Sequence, residues 1–201
     1  MDRLQQIEGR RFLGREFLVW MWFESELFEA QMSASGLGAF ELLLEKQITL
    51  ESGGKKDREQ CKLRGANPAA GPEAREALRQ GKTPTIASMK LRRGEQEFSF
   101  VFSADGFTIA GVKLPSLLND KEDEPFYERI SLLEDLEAHL EALYADFCLL
   151  RASDAWAKVV MPSLLRWVND EEIASPDGYR KARNDAVTAA RSKAGAKKKA
   201  A

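Results

Sequence analysis

Apolar residues follow three different rhythms along the 201-residue chain. The first is dense. In Phe12 to Phe28, FLGREFLVWMWFESELF, eleven of seventeen residues are apolar and six are aromatic, and Phe17 to Phe23 form an unbroken run of seven. On a helix, Leu13, Phe17, Trp20 and Leu27 make one stripe, yet Phe12, Val19 and Trp22 fall on other faces. The helix is therefore apolar nearly all round and has to be covered on most sides. The run is far short of the roughly twenty residues that cross a bilayer, and Arg11, Arg15, Glu16, Glu24 and Glu26 crowd it. It reads as a core helix. Phe12, Trp20, Trp22 and Phe23 are the residues with which it would also meet a second subunit, because aromatic side chains are enriched in interface cores.

The second rhythm has period two. In Thr85 to Arg92, Ala87, Met89 and Leu91 alternate with Ser88, Lys90 and Arg92, the pattern of a strand with one wet face. Arg93 and Gly94 make a turn, Phe98, Phe100 and Phe102 put three rings on one face of the next strand, and Ala104 to Gly106 turn the chain into a third, Phe107 to Leu114. Tight turns between three strands predict an antiparallel meander. Upstream, Met32 to Gly38 is a small-residue turn and Ala39 to Glu51 reads as a strand or strand pair. Ser52 to Arg58 is a turn, Glu59 to Arg64 pairs back, and Pro72 leads Glu73 to Gln80 into a short helix closed by Gly81.

The third rhythm is helical and long. Phe126, Ile130, Leu133, Leu136, Leu140, Leu143, Phe147 and Leu150 recur at threes and fours, with Glu128, Glu134, Asp135, Glu141 and Asp146 off that stripe. Ser153 or Asp154 can cap a further helix through Trp167, which Pro162 should kink. The predicted fold is α+β, an antiparallel sheet of about five strands packed with the N-terminal apolar helix and two C-terminal helices. Residues 1–9 read as a flexible lead-in, 10–170 as one domain, and 171–201 as a basic tail, partly helical or disordered, with 193–201 of low complexity.

Charge changes this picture. From Gly178 onward there are eight basic residues and one acid, against 22 and 31 in the rest, so a tail of +7 follows a body of −9. Arg180, Lys181, Arg183, Arg191, Lys193, Lys197, Lys198 and Lys199 resemble the flexible tails that neutralise phosphates without reading sequence; a merely solubilising terminus is the other reading. Lys82, Lys90 and Arg92 are further candidates on the body, where folding could assemble a basic surface from Lys90, Arg92, Arg93 and Lys113. Candidate chemistry is otherwise thin. Cys61 and Cys148 have no metal-type spacing and read as free thiols of a reducing cytosol, with no secretory signal at the start. His139 reads as a surface or boundary residue, and Gly81 and Lys82 lack the upstream glycine of a phosphate loop. Asp120, Glu122, Asp123 and Glu124 form a solvated charge run in the acidic loop 119–125, with a Mg²⁺ site as the weaker reading. No catalytic set, cofactor or metal is expected.

The order of these segments resembles the C-terminal half of the recombination-associated RdgC family of bacterial nucleoid proteins. The similarity runs from about Arg11 to Arg151. FLGREFLVWMW at Phe12 to Trp22 is similar to the block that opens this half. Glu73, Ala77, Gly81 and Lys82 resemble a helix end before a strand, Lys90 to Phe102 the paired strands, and Glu128 and Arg129 the start of a late helix. The resemblance implies a cytoplasmic, nucleoid-associated protein without enzymatic activity. Such a protein binds double-stranded DNA with little sequence preference as a ring-like dimer, and restrains RecA-mediated recombination. The family's N-terminal half, which contributes to closing the ring, has no counterpart here, and the basic tail matches no family motif. The rival reading is a protein-interaction module that forms a homodimer through the apolar helix.

Overall fold

The dense apolar run becomes the inside of a helix buried within its own chain. The computed structural model describes residues 3–52, 59–116, 124–173 and 175–199, and side chains over 13–52, 59–116, 125–173 and 175–193. The turn expected at 52–58 and the acidic loop at 119–125, with Asp120, Glu122 and Asp123, fall for the most part outside these residues. Helix α1 spans Arg3–Leu27, so residues 3–9, expected as a flexible lead-in, continue the helix instead. Leu4, Gln5, Gln6, Glu8 and Arg10 are good helix formers and supply the reason.

Six strands follow in one antiparallel sheet: β1 (Gln31–Ser33), β2 (Ala39–Glu51), β3 (Gln60–Gly65), β4 (Thr83–Arg93), β5 (Gln96–Ser103) and β6 (Thr108–Lys113). The order is β1-β2-β4-β5-β6. Glu41 pairs with both Gln31 and Arg92, and Ile48 with both Leu63 and Ala87, so β1 and β3 share the edge of β2 that β4 does not occupy. The expected meander is β4-β5-β6, with Phe98, Phe100 and Phe102 all buried. The stretch 39–51 is one strand with a bulge at Lys46, whose φ is +63°. Leu44 faces Met89 and Ile48 faces Ala87, so β2 holds two extra residues there. An even insertion preserves parity, and Phe40, Leu42, Leu44, Ile48 and Leu50 all stay on the buried face. Between β3 and β4, α2 (Pro72–Arg79) has proline in its first turn, and Gly81, at φ +79°, closes it as expected.

Three further helices pack around α1. They are α3 (Glu124–Arg151), α4 (Met161–Val168) and α5 (Pro176–Lys199), and α3 also meets the sheet through His139 against Phe40. A π-helical turn at Trp156–Val160 leads into α4, closed by a bond from the Met161 amide to the Trp156 carbonyl. It sits just ahead of Pro162, which has no N–H to give, so the expected kink takes the form of a widened turn. Ser153 does not cap this helix; its hydroxyl donates back to the Leu150 carbonyl at 2.7 Å. Continuation of the backbone helix to Lys199 also replaces the disorder expected from residue 193.

Phe17, Leu18, Trp20, Met21, Trp22 and Phe23 are each 0% exposed. Phe17 lies edge-on to Phe102 of β5 at 6.0 Å and against Phe147 of α3 at 5.4 Å between ring centres. Trp22 and Phe23 meet Trp167 of α4, and Phe23 also meets Tyr179 of α5 at 5.3 Å. This corrects the interface assignment of Trp20, Trp22 and Phe23, because the chain's own sheet and helices already cover them; the Phe12 side chain lies outside the described residues. The stripe on α3 is corrected in part. Leu136, Leu140, Leu143, Phe147 and Leu150 are buried, whereas Phe126, Ile130 and Leu133 are exposed, as is Tyr127. His139 belongs to the buried set, its ring edge-on to Phe40 and its Nδ1 2.7 Å from the Asp135 carbonyl oxygen.

At Gly14 α1 passes tightly against the turn after β5, and a Cβ there would run into the carbonyl oxygen of Ala104. Gly14→Ala should therefore destabilise the fold by about 1–3 kcal/mol, by overpacking, despite alanine's better helix propensity. Urea unfolding measures it, and a stabilised variant would contradict the close crossing. Trp20→Ala should cost about 3–5 kcal/mol while leaving sedimentation unchanged; a stable variant of altered oligomeric state would instead return the helix to an interface.

Candidate nucleic-acid interface

The basic stretch predicted to reach nucleic acid divides into an anchored part and a free end. Helix α5 is built by its own sequence. The Ser175 hydroxyl accepts a hydrogen bond from the Gly178 amide at 3.0 Å, Pro176 occupies the first turn, and Asp177 adds an acid where the helix dipole favours one. Tyr179, Arg183, Val187 and Arg191 follow at intervals of four and so share a face. Tyr179, Arg183 and Val187 are buried.

That face binds the domain through charge as well as packing. The Tyr179 hydroxyl donates to Glu24 Oε1 at 2.8 Å, and Arg183 Nε lies 3.1 Å from the same oxygen, with side chains only 5% and 1% exposed for the arginine and glutamate. Arg183 Nη2 also donates to the Ser33 carbonyl at 3.0 Å, and its guanidinium sits over the Trp20 ring at 5.4 Å. Burial pushes the Glu24 carboxyl up from its ordinary range, while the Arg183 charge and the Tyr179 hydrogen bond pull it back. The Tyr179 phenol is raised well above the usual tyrosine range, by burial first and then by the charge of Glu24. Further along, Arg191 Nη2 donates to Asp146 Oδ1 at 2.7 Å, and Asp146 Oδ2 accepts from the Ser35 amide at 2.8 Å. Arg180 lies over the Phe28 ring at 4.1 Å.

The predicted contact residues are thus not one surface. Arg180, Arg183 and Arg191 fasten α5. Lys82 pairs with Glu59 at 3.2 Å, Lys90 with Glu45 and Glu97 at 3.2 and 3.3 Å, and Arg92 with Glu97 at 2.7 Å. Arg93 pairs with Asp135 of α3 at 2.8 Å. The basic surface expected from Lys90, Arg92, Arg93 and Lys113 is therefore neutralised, with Lys113 alone of the four exposed and unpaired among the described residues. Part of this was available beforehand, since a two-residue turn at Gly94 and Glu95 sets Arg92 opposite Glu97. Lys181 and Lys193 are exposed and have no ion-pair partner among the described residues. Lys197, Lys198 and Lys199 occupy the last turn of the helix backbone, and their side chains lie outside the described residues.

Among the described residues, no group of three or more His, Cys, Asp or Glu could hold a metal ion, and no helix is long and apolar enough to cross a membrane. Both cysteines are free thiols. Compared with models of known protein families and with curated protein sequences, the chain matches none.

The Glu24 cluster carries a pH signature. A carboxyl whose folded pKa is raised binds its proton more tightly in the folded state, so its contribution to stability falls as pH rises past the unfolded value of about 4.3. Arg183→Leu removes the cation that opposes this rise. Its cost should be about 3–5 kcal/mol near neutral pH, because the ionised form of Glu24 then keeps only the Tyr179 hydroxyl as partner. The cost should shrink toward pH 4, because a Glu24 that takes up its proton no longer needs a cation. Chemical denaturation at the two pH values measures it, and an equal cost at both would show that packing rather than charge holds the helix.

Proposed function

We propose that this chain is a non-enzymatic protein that binds double-stranded DNA through its phosphates, with little sequence preference, and acts in recombination or at the nucleoid. The role is the one its resemblance to the RdgC family implies. A single observation carries the choice of surface: the arginines of α5 are fastened to the domain, whereas Lys193, beyond the last of them, is exposed with no ion-pair partner among the described residues. Lys193 is exposed, and Lys197, Lys198 and Lys199 follow within two turns. Lysines in a last helical turn also complement the negative end of the dipole, which supports a helical rather than a loose presentation. A body of net −9 repels a phosphate backbone, which favours contact at the basic end of the chain.

The test is binding to a random-sequence duplex followed by fluorescence anisotropy over a salt series. With four lysines at the phosphates, log affinity should fall with log salt at a slope of about −3 to −4, and should barely change between unrelated sequences. Substituting Lys193, Lys197, Lys198 and Lys199 with alanine should abolish binding with the fold intact. Binding that survives those substitutions would refute this surface, and absence of binding by the unaltered chain would refute the function.

A further inference from the structure

A hollow opens where helix α3 passes over the β5–β6 turn. It has a volume of about 530 Å³ and is lined by Phe102, Phe107, Ile109, Leu140 and Tyr144, with Glu137 and Glu141 beside them on α3. The size falls within the range of about 300–1,000 Å³ typical of small-molecule sites, and so does the composition, mostly apolar with a few charged groups. Its floor is aromatic. Phe107 and Tyr144 stand 4.4 Å apart between ring centres, and Phe102 meets Phe107 edge-on at 5.3 Å. Phe107 holds its position at the unusual φ of +51°, which turns the chain back into β6 beneath the helix.

The two glutamates set the ligand's charge. They lie four residues apart, one above the other on the helix, in an arrangement where like charges repel. Both are exposed, and neither has a basic partner among the described residues. This contrasts with the other acids that face the fold's interior seams. Glu16, Glu26, Glu51, Asp105, Asp135 and Asp146 are each paired with an arginine. An aromatic floor attracts a cation through the negative face of its rings, and a carboxylate pair at the rim adds a direct charge. An anion or phosphate would meet repulsion from the same groups.

We infer that this hollow is a binding site for a small organic cation with an apolar body, an arylalkyl amine or guanidine whose ring lies on Phe107 and Tyr144 and whose charge lies between Glu137 and Glu141. The site is independent of the DNA-binding surface. Phenethylamine is a suitable probe, with phenethyl alcohol as its neutral counterpart, each titrated into the full chain and followed by amide NMR. The amine should shift the resonances of Gly106, Phe107 and Tyr144, and the alcohol should bind about tenfold more weakly. The double variant Glu137→Gln, Glu141→Gln alters only exposed side chains and should weaken the amine about fivefold to tenfold while leaving the alcohol unchanged. Equal binding of amine and alcohol would overturn the inference. So would an unaltered amine affinity in the double variant, or the absence of shifts at these residues at millimolar concentrations.

Discussion

A helix without a polar face imposes the architecture on everything around it. Phe17 to Phe23 present apolar surface in every direction, and at about 25 cal/mol per Å² none of it can be left to water cheaply. One sheet covers one side of α1, and α3, α4 and α5 cover the rest. The two-residue bulge in β2 follows from the same demand, since only an even insertion keeps Phe40, Leu42, Leu44, Ile48 and Leu50 turned toward the helix. At Gly14 the approach to the turn after β5 leaves no room for a side chain, and the loss of helix propensity there is offset by that contact.

Covering α1 also buries the acids at its C-terminal end, and a buried carboxylate needs a partner. Glu24 is met by Tyr179 and Arg183 from α5, and Glu26 by Arg75 from α2 together with the indole N–H groups of Trp22 and Trp167. Arg75 in turn lies over the Trp167 ring at 3.9 Å, so α1, α2 and α4 close on one cluster. Such pairs are weak evidence for added stability, because desolvation opposes the attraction, but breaking one is costly. Basic residues that look in sequence like ligands for an external polyanion are thereby drawn inward as counter-charges for the chain's own acids. Lys113, Lys181 and Lys193, exposed and without an ion-pair partner among the described residues, are left to act outward.

Helix α3 shows the opposite outcome for acidic residues. Its C-terminal turns seal the core with Leu143, Phe147 and Leu150, and its N-terminal turns run past the sheet with Phe126 and Ile130 in water. Between them, Glu137 and Glu141 stand over aromatic side chains without a counter-charge among the described residues. The acid-rimmed hollow under α3 thus contrasts with α5, whose Arg183 and Arg191 are paired with the chain's own acids.

Local periodicity was enough for much of the fold. The alternation at Ala87, Met89 and Leu91, the three rings of Phe98, Phe100 and Phe102, the threes and fours of the long helix, and the Pro72 to Gly81 punctuation each named an element, because burial of one face leaves its period in the sequence. The all-round apolarity of Phe17 to Phe23 likewise foretold a covered helix. It could not say that the cover comes from the same chain, since a helix covered by its own layers and one covered by a second subunit leave the same pattern. The three-residue β1 carries too short a pattern to detect. The fate of each charge was a matter for tertiary structure alone. Arg183 and Lys193 are alike as cations in a basic stretch, and they differ only because folding brings Glu24, more than 150 residues away in sequence, against one of them. A sequence records which residues seek burial or charge, whereas the partner that satisfies each one is set by the distances that the packed layers create.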